Sequence, residues 1–155
     1  MPETTDYPSE AERLFREGYS CSQSVFCAFA PALGLERDRA AALSSPFGGG
    51  IGRMREVCGA FSGLMLLCGF VVGYSDPADS DLKNRYYCFL RSLADDFRAE
   101  ASSIVCREIM PGAEVGGYPA PRTEEFYRTR PCLKMVRLAA RIGQERVLPL
   151  LGKSI

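Results

Sequence analysis

The sequence predicts an all-α fold, a single-domain helical bundle around a buried central apolar helix. Apolar residues recur with the period of a helix, and no segment alternates apolar and polar residues over the length of a strand. The chain has 155 residues, of which 46% are hydrophobic and 25% are charged. A chain of that size and composition can bury one core, so we expect residues 1–155 to form a single helical domain.

Helix start and stop signals divide the chain into elements. Ser20 and Gln23 have the form of a capping box, and Gly34 is placed to end the helix that they begin. Glycines and prolines interrupt the helical pattern after residue 75 and again in residues 111–121. The predicted helices cover residues 9–17, 20–33, 36–43, 57–75 and 79–99, a short segment around Cys106, and a last helix from residue 132 to about residue 143.

Residues 57–75 carry no charge and form the candidate central helix. A run of about 20 apolar residues can also cross a bilayer, and Gly59 and Gly63 have the spacing of a membrane dimer motif. Glycines and serines interrupt the run, however, and a helix that is apolar on every side suits the middle of a bundle equally well. We therefore predict a buried helix and no membrane partner.

The charge balance and the absence of histidine exclude several classes of function. Lysine plus arginine and aspartate plus glutamate both total 19, so no excess positive charge favours a nucleic-acid partner. Without histidine, the chain lacks the base of serine and cysteine hydrolase triads and the Cys-x-x-Cys-His site of c-type haem, so we expect no haem. The polar start of the chain does not resemble a secretory signal, which favours a cytoplasmic location.

The seven cysteines suit thiol or metal chemistry better than structural disulfides, because seven is odd and the chain is expected to be cytoplasmic. Cys58 and Cys68 lie roughly 15 Å apart on one predicted helix, and Cys21 and Cys27 lie about 9 Å apart on another. Only one member of each pair can therefore join a small metal centre. Cys88 lies opposite the apolar stripe of its helix, where it faces solvent or a partner chain.

Helix position also separates the cysteines. Cys21 and Cys132 fall on the apolar stripes of their helices and should point inward. Cys21, Cys106 and Cys132 each lie in the first turn of a predicted helix, where free N–H groups stabilise a thiolate and lower the pKa of the thiol. Cys58 has the same setting if its helix begins after the glycine-rich loop. Free cysteine is otherwise usually a small apolar filler. We assign that role to Cys27, Cys68 and Cys88.

Residues 45–52 form a glycine-rich loop. The loop lacks the lysine-serine/threonine ending of a phosphate loop and no strand precedes it, so nucleotide binding is not predicted. Its glycines could instead let the backbone pass close to Cys58 and offer N–H donors to the sulfur or to an anion. Arg53 and Arg55 could add positive charge there, or could form only a solvated face. The cofactor-binding candidates are Gly48, Gly49, Gly50 and Gly59.

Three segments carry a further pattern: Gly-Tyr-Ser-Cys-Ser-Gln-Ser-Val at 18–25, Phe-Gly-Gly-Gly-Ile-Gly-Arg-Met at 47–54 and Val-Cys-Gly-Ala-Phe-Ser-Gly at 57–63. With these segments the chain resembles the C-GCAxxG-C-C family of redox-active proteins. Cys106 and Cys132 look like the last two cysteines of the family pattern. The resemblance covers most of the chain and implies a helical protein with a redox-active or iron–sulfur role.

Three functional hypotheses follow from the sequence. In the first, four cysteines bind an iron–sulfur cluster or another metal as thiolates and exchange electrons with a redox partner protein. In the second, the same cysteines form a metal-free thiol/disulfide switch. In the third, the cysteines only pack, and the chain is a non-catalytic helical binding or regulatory module that could form a homodimer. The candidate catalytic and metal-ligating residues are Cys21, Cys58, Cys106 and Cys132.

Overall fold

Eight α-helices follow one another in residues 4–155, the part of the chain that the computed structural model describes. Residues 1–3 of the predicted domain lie outside this part. The helices are α1 (Tyr7–Arg16), α2 (Cys21–Leu33), α3 (Arg37–Ser44), α4 (Gly59–Val72), α5 (Ser80–Ala101), α6 (Cys106–Ile109), α7 (Glu124–Thr129) and α8 (Cys132–Ile142). The described residues form no strand, only an isolated antiparallel bridge between Val57 and Val105. The predicted all-α fold class is confirmed.

Local signals set where the longer helices begin and end. The N–H of Gln23 donates to Ser20 Oγ at 3.3 Å, and the N–H of Ser20 donates to Gln23 Oε1 at 3.0 Å, which is the predicted capping box. Gly34 ends α2 with a left-handed φ of 69°. Asp79 caps α5 by accepting a hydrogen bond from the N–H of Leu82. Because these signals are local, the long helices lie within about one turn of their predicted bounds.

Helix α7 is an element that the sequence patterns do not predict. It has only six residues and begins where Thr123 Oγ1 accepts a hydrogen bond from the N–H of Phe126. Six residues are too few to show a helical period, and a helix of that length is not stable alone. Phe126 and Tyr127 pack against Phe15 of α1, with ring centroids 6.1 and 5.7 Å from that ring. The helix therefore depends on its contact with α1.

Helix α4 lies in a hydrophobic core to which α1, α2, α3, α5 and α8 also contribute. Leu67 is fully buried. A Cβ placed on Gly63 would lie 2.8 Å from the carbonyl oxygen of Ser22 and 3.0 Å from Val25 Cβ, so glycine lets α2 approach α4 closely. At the end of the helix Phe70 is 47% exposed. The predicted central apolar helix is thus present, but its last turn reaches the surface.

The length of α4 bears on the membrane alternative. The helix has 14 residues and spans roughly 21 Å, which is shorter than the ~30 Å hydrocarbon core of a bilayer. Gly73 follows its last residue, and the chain then turns through Pro77 toward α5. Among the residues described, no helix has both the length and the apolar content that a membrane span requires.

Candidate functional site

Four of the seven cysteines lie where a helix begins. Cys21, Cys106 and Cys132 are the first residues of α2, α6 and α8. Cys58 precedes the first residue of α4 in the capping position, which is the setting expected for it if the helix starts after the glycine-rich loop. All four therefore lie close to the free N–H groups at the start of a helix.

The same four cysteines line one cavity, which we call the thiol cavity. Its volume is about 250 Å³, and it lies among the starts of α2, α4, α6 and α8. Cys27, Cys68 and Cys88 do not line it. Cys27 and Cys68 are buried elsewhere, Cys88 is exposed, and all seven cysteines are free. The tertiary structure thus brings together the four cysteines that are the sequence candidates.

The glycine candidates lie around this cavity. Gly48, Gly49 and Gly59 line it, whereas Gly50 packs behind it. A Cβ on Gly59 would lie 2.8 Å from Cys21 Sγ, and a Cβ on Gly50 would lie 2.8 Å from the Cβ of Cys106. The sequence expectation named Cys58 as the cysteine that the loop approaches. Gly50, which belongs to the loop, makes its close contact with Cys106 of α6, whereas Gly59, the first residue of α4, makes its close contact with Cys21 of α2.

The glycine-rich loop continues into a strained segment that carries two arginines. Ile51, Arg53 and Arg55 have left-handed φ values of 66°, 62° and 59°. This conformation costs a residue with a side chain about 1–2 kcal/mol. The N–H of Arg53 donates to the carbonyl of Gly48 at 3.3 Å, and the N–H of Arg55 donates to the carbonyl of Gly49 at 3.1 Å. These bonds hold the segment in its strained form.

Arg55 does not lie on a solvated face, which was one of the two alternatives for Arg53 and Arg55. Arg55 is only 3% exposed, and it lines the thiol cavity. The Nε of Arg55 donates to the carbonyl of Glu114 at 2.9 Å, and the Nε of Arg53 donates to the carbonyl of Gly116 at 2.8 Å. The two side chains thus tie the loop to the segment before α7, and Arg55 brings a positive charge to the cavity wall.

Burial is the largest influence on the pKa values of two cavity thiols, Cys58 and Cys132. Burial, and next the charge of a Cys21 thiolate, raise the pKa of Cys58 well above its ordinary value. Burial, followed by the charges of Cys21 and Cys106, raises the pKa of Cys132 to about 12. The expectation of lowered pKa values at these two helix starts is therefore wrong. A helix end contributes about 0.3–1 kcal/mol, which desolvation of a buried thiolate exceeds.

These shifts predict how the stability of the metal-free protein depends on pH. Burial also raises the pKa of Cys68 from 9.0 to about 12. Above 9.0 the unfolded chain loses this proton while the folded chain keeps it, so the folded state binds more protons and the free energy of unfolding falls as pH rises. The fall amounts to at most about 1.4 kcal/mol per pH unit for each such thiol.

Urea unfolding between about pH 8 and about pH 10.5 measures this slope. Cys68→Ala should show a shallower fall of the unfolding free energy with pH than Cys88→Ala, because the second variant keeps the buried thiol. Equal slopes in the two variants would show that Cys68 does not carry the effect.

The donor set bears on which metal could bind. Among the described residues, no three cysteine, histidine or acidic side chains are grouped closely enough to hold one metal ion. A single zinc ion needs four ligands at about 2.0–2.3 Å, which this arrangement does not match. A cluster of several irons is larger and uses four cysteine thiolates. Four thiols around a cavity of about 250 Å³ are compatible with that larger group.

Several residues of the cavity wall are not among the sequence candidates. Arg122, Arg130 and Met135 line it, as do Phe15 and Ile109. Arg130 could have been found from its place two residues before Cys132. Ile109 and Met135 could also have been found, because each lies three residues after a candidate cysteine on the same helix and so shares its face. Phe15 and Arg122 have no local signal, because α1 and the segment before α7 reach the cavity only through tertiary packing.

The described residues form an all-α bundle in which four thiols surround one cavity. A family model described as "Putative redox-active protein (C_GCAxxG_C_C)" matches residues 19–146, and the chain belongs to that family. The matched range contains all four cavity cysteines and the glycine-rich loop. The resemblance seen in the sequence is confirmed. No curated protein and no solved structure matches the chain.

Proposed function

We propose that the chain is a single-domain electron-transfer protein that binds an iron–sulfur cluster through four cysteines. The observation that carries the proposal is the arrival of these cysteines from four separate parts of the chain at one cavity. Packing alone gives no reason for four thiols to meet while three others lie elsewhere. The proposed ligands are Cys21, Cys58, Cys106 and Cys132.

The chemistry of the cavity wall supports a cluster over other metals. No histidine, aspartate or glutamate of the described chain lines the cavity, so cysteine sulfur is the strong metal ligand available. When bound, an iron–sulfur cluster supplies one-electron transfer. The chain's own contribution is to hold four sulfurs at helix starts and to surround them with apolar side chains such as Phe15, Ile109 and Met135. Such burial excludes water and tunes the reduction potential.

A metal-free thiol/disulfide switch is the second candidate. A thiolate on Cys21 raises the pKa of both Cys58 and Cys132, and a thiolate on Cys106 raises that of Cys132, so these thiols are near enough to sense one another's charge. Formation of one disulfide from two of these thiols would release two electrons and two protons to an oxidised partner. Both candidate functions need a redox partner protein that accepts or supplies the electrons.

The seven free cysteines favour the reducing cytoplasm as the compartment of the protein.

Iron and acid-labile sulfide assays on protein purified without oxygen, together with a visible spectrum, test the proposal. We expect iron and sulfide in similar amounts and a visible absorption that fades on reduction. If iron and sulfide do not bind even after anaerobic reconstitution, the cluster proposal is wrong. A reversible two-electron thiol titration would then favour the switch, and its absence would favour a binding module.

A further inference from the structure

The wall of the thiol cavity has a positive charge that no carboxylate balances. Four arginines line it, and no acidic side chain of residues 4–155 does. None of the four forms an ion pair within 4.0 Å in the described chain, although eight other arginines do. The four are Arg53, Arg55, Arg122 and Arg130.

Arg55 is the buried member of this group. Its Nε donates to the carbonyl of Glu114 at 2.9 Å, and its Nη1 lies 3.9 Å from Cys106 Sγ. Its Nη2 is buried and has no hydrogen-bond acceptor in the described chain. A buried charged N–H without an acceptor is costly, because it has left water and gained no partner. By contrast, Arg122 donates to the carbonyls of Phe15 and Tyr19, both at 3.0 Å.

The backbone holds Arg55 in place from both sides. Its N–H donates to the carbonyl of Gly49 at 3.1 Å, and its carbonyl accepts from the N–H of Arg107 at 3.2 Å. The left-handed φ of 59° is unfavourable for arginine and persists only because these contacts impose it. These contacts fix the backbone of Arg55, and the hydrogen bond from its Nε to the carbonyl of Glu114 restrains the guanidinium at the cavity wall.

We propose that the thiol cavity binds a small anion with oxygen acceptors, either an oxyanion or a carboxylate, and that Arg55 anchors it beside Cys106. A guanidinium offers two parallel N–H donors that match such anions, and a ligand at Nη2 would satisfy the unpaired donor. The inference goes beyond the proposed cluster, because it assigns an anionic ligand to the protein in its metal-free form. It also gives the chemical class of a substrate that would reach the thiol of Cys106.

The test uses full-length, reduced, metal-free protein, so its outcome is separate from whether iron binds. The ¹⁵N-labelled protein is titrated with inorganic phosphate in one arm and with acetate in another, against sodium chloride of equal ionic strength. We expect a saturable shift of the Arg55 Nε–H signal with at least one of the two anions. Saturation by phosphate alone identifies an oxyanion site, and saturation by acetate alone identifies a carboxylate site.

Substitutions then locate the interaction, and their dissociation constants are read from the backbone amide signals of cavity residues such as Cys106 and Cys132, which every variant keeps. Arg55→Gln should raise the dissociation constant for the anion roughly tenfold or more, as expected for loss of a charge-assisted hydrogen bond. Arg98→Gln is the matched control, because Arg98 is exposed and pairs only with Asp95 on its own helix at 3.5 Å. Binding as tight in Arg55→Gln as in the unmodified protein would overturn the proposal. If Arg55→Gln does not fold, the unmodified protein decides, since no saturable Arg55 shift with either anion overturns it equally.

Discussion

Replacing any one of the four cavity cysteines with serine is expected to lower the bound iron at least about tenfold and to remove the visible absorption. Loss of an outer-shell partner of a metal ligand already costs about 10–100-fold in metal affinity, and loss of a ligand should cost more. A serine hydroxyl is a poor substitute for a thiolate, because it does not ionise near neutral pH. Iron content after anaerobic reconstitution measures the effect in Cys21→Ser, Cys58→Ser, Cys106→Ser and Cys132→Ser.

Cys88→Ser is the matched control for this series. Cys88 is exposed on α5 and does not line the thiol cavity, so this variant should keep its iron and its spectrum. Far-ultraviolet circular dichroism of every variant separates loss of a ligand from loss of the fold. Four folded variants that all retain full iron would show that these cysteines are not the ligands.

Gly50→Ala is expected to destabilise the protein by about 2–5 kcal/mol. The position has a φ of 70°, which costs alanine about 1–2 kcal/mol. The added Cβ would also lie 2.8 Å from Arg55 Cα, from Cys106 Cβ and from the N of Glu56, and such overpacking costs about 1–3 kcal/mol more. Since the clash includes Cys106, iron binding should weaken as well. Urea unfolding of the metal-free variant measures the loss of stability.

Gly52→Ala separates the two causes. Gly52 belongs to the same loop and has a φ of 54°, but a Cβ there meets no atom within 4 Å. This variant should therefore lose only the conformational share, about 1–2 kcal/mol, and should keep its iron. An equal loss of stability in the two variants would mean that the close approach of Gly50 to Cys106 has no energetic effect.

The sequence alone was sufficient for the long helices and for the place of the cysteines within them. The capping box of Ser20 and Gln23, the left-handed Gly34 and the cap at Asp79 act through hydrogen bonds over three or four residues. Such signals are visible in a single sequence because both partners are neighbours in it. The expected exposure of Cys88 followed from helical geometry in the same way.

The site depended on contacts between distant residues, which local patterns do not encode. Helix α7 forms through its packing on Phe15, more than 100 residues earlier in the chain. The pKa of Cys132 was expected to fall because its helix start is a local feature, but it rises because burial is a property of the whole fold. The sequence left open whether Arg55 adds positive charge near the cysteines or forms only a solvated face, and the fold places it within the cavity wall.

The sequence by itself therefore determined an all-α chain with cysteines at the starts of separate helices. Only the tertiary structure decided that four of those starts meet at one cavity and that a buried arginine shares its wall. The physical reason is that a helix start is specified by neighbouring residues, whereas the meeting of α2, α4, α6 and α8 is set by how their apolar faces pack in a common core.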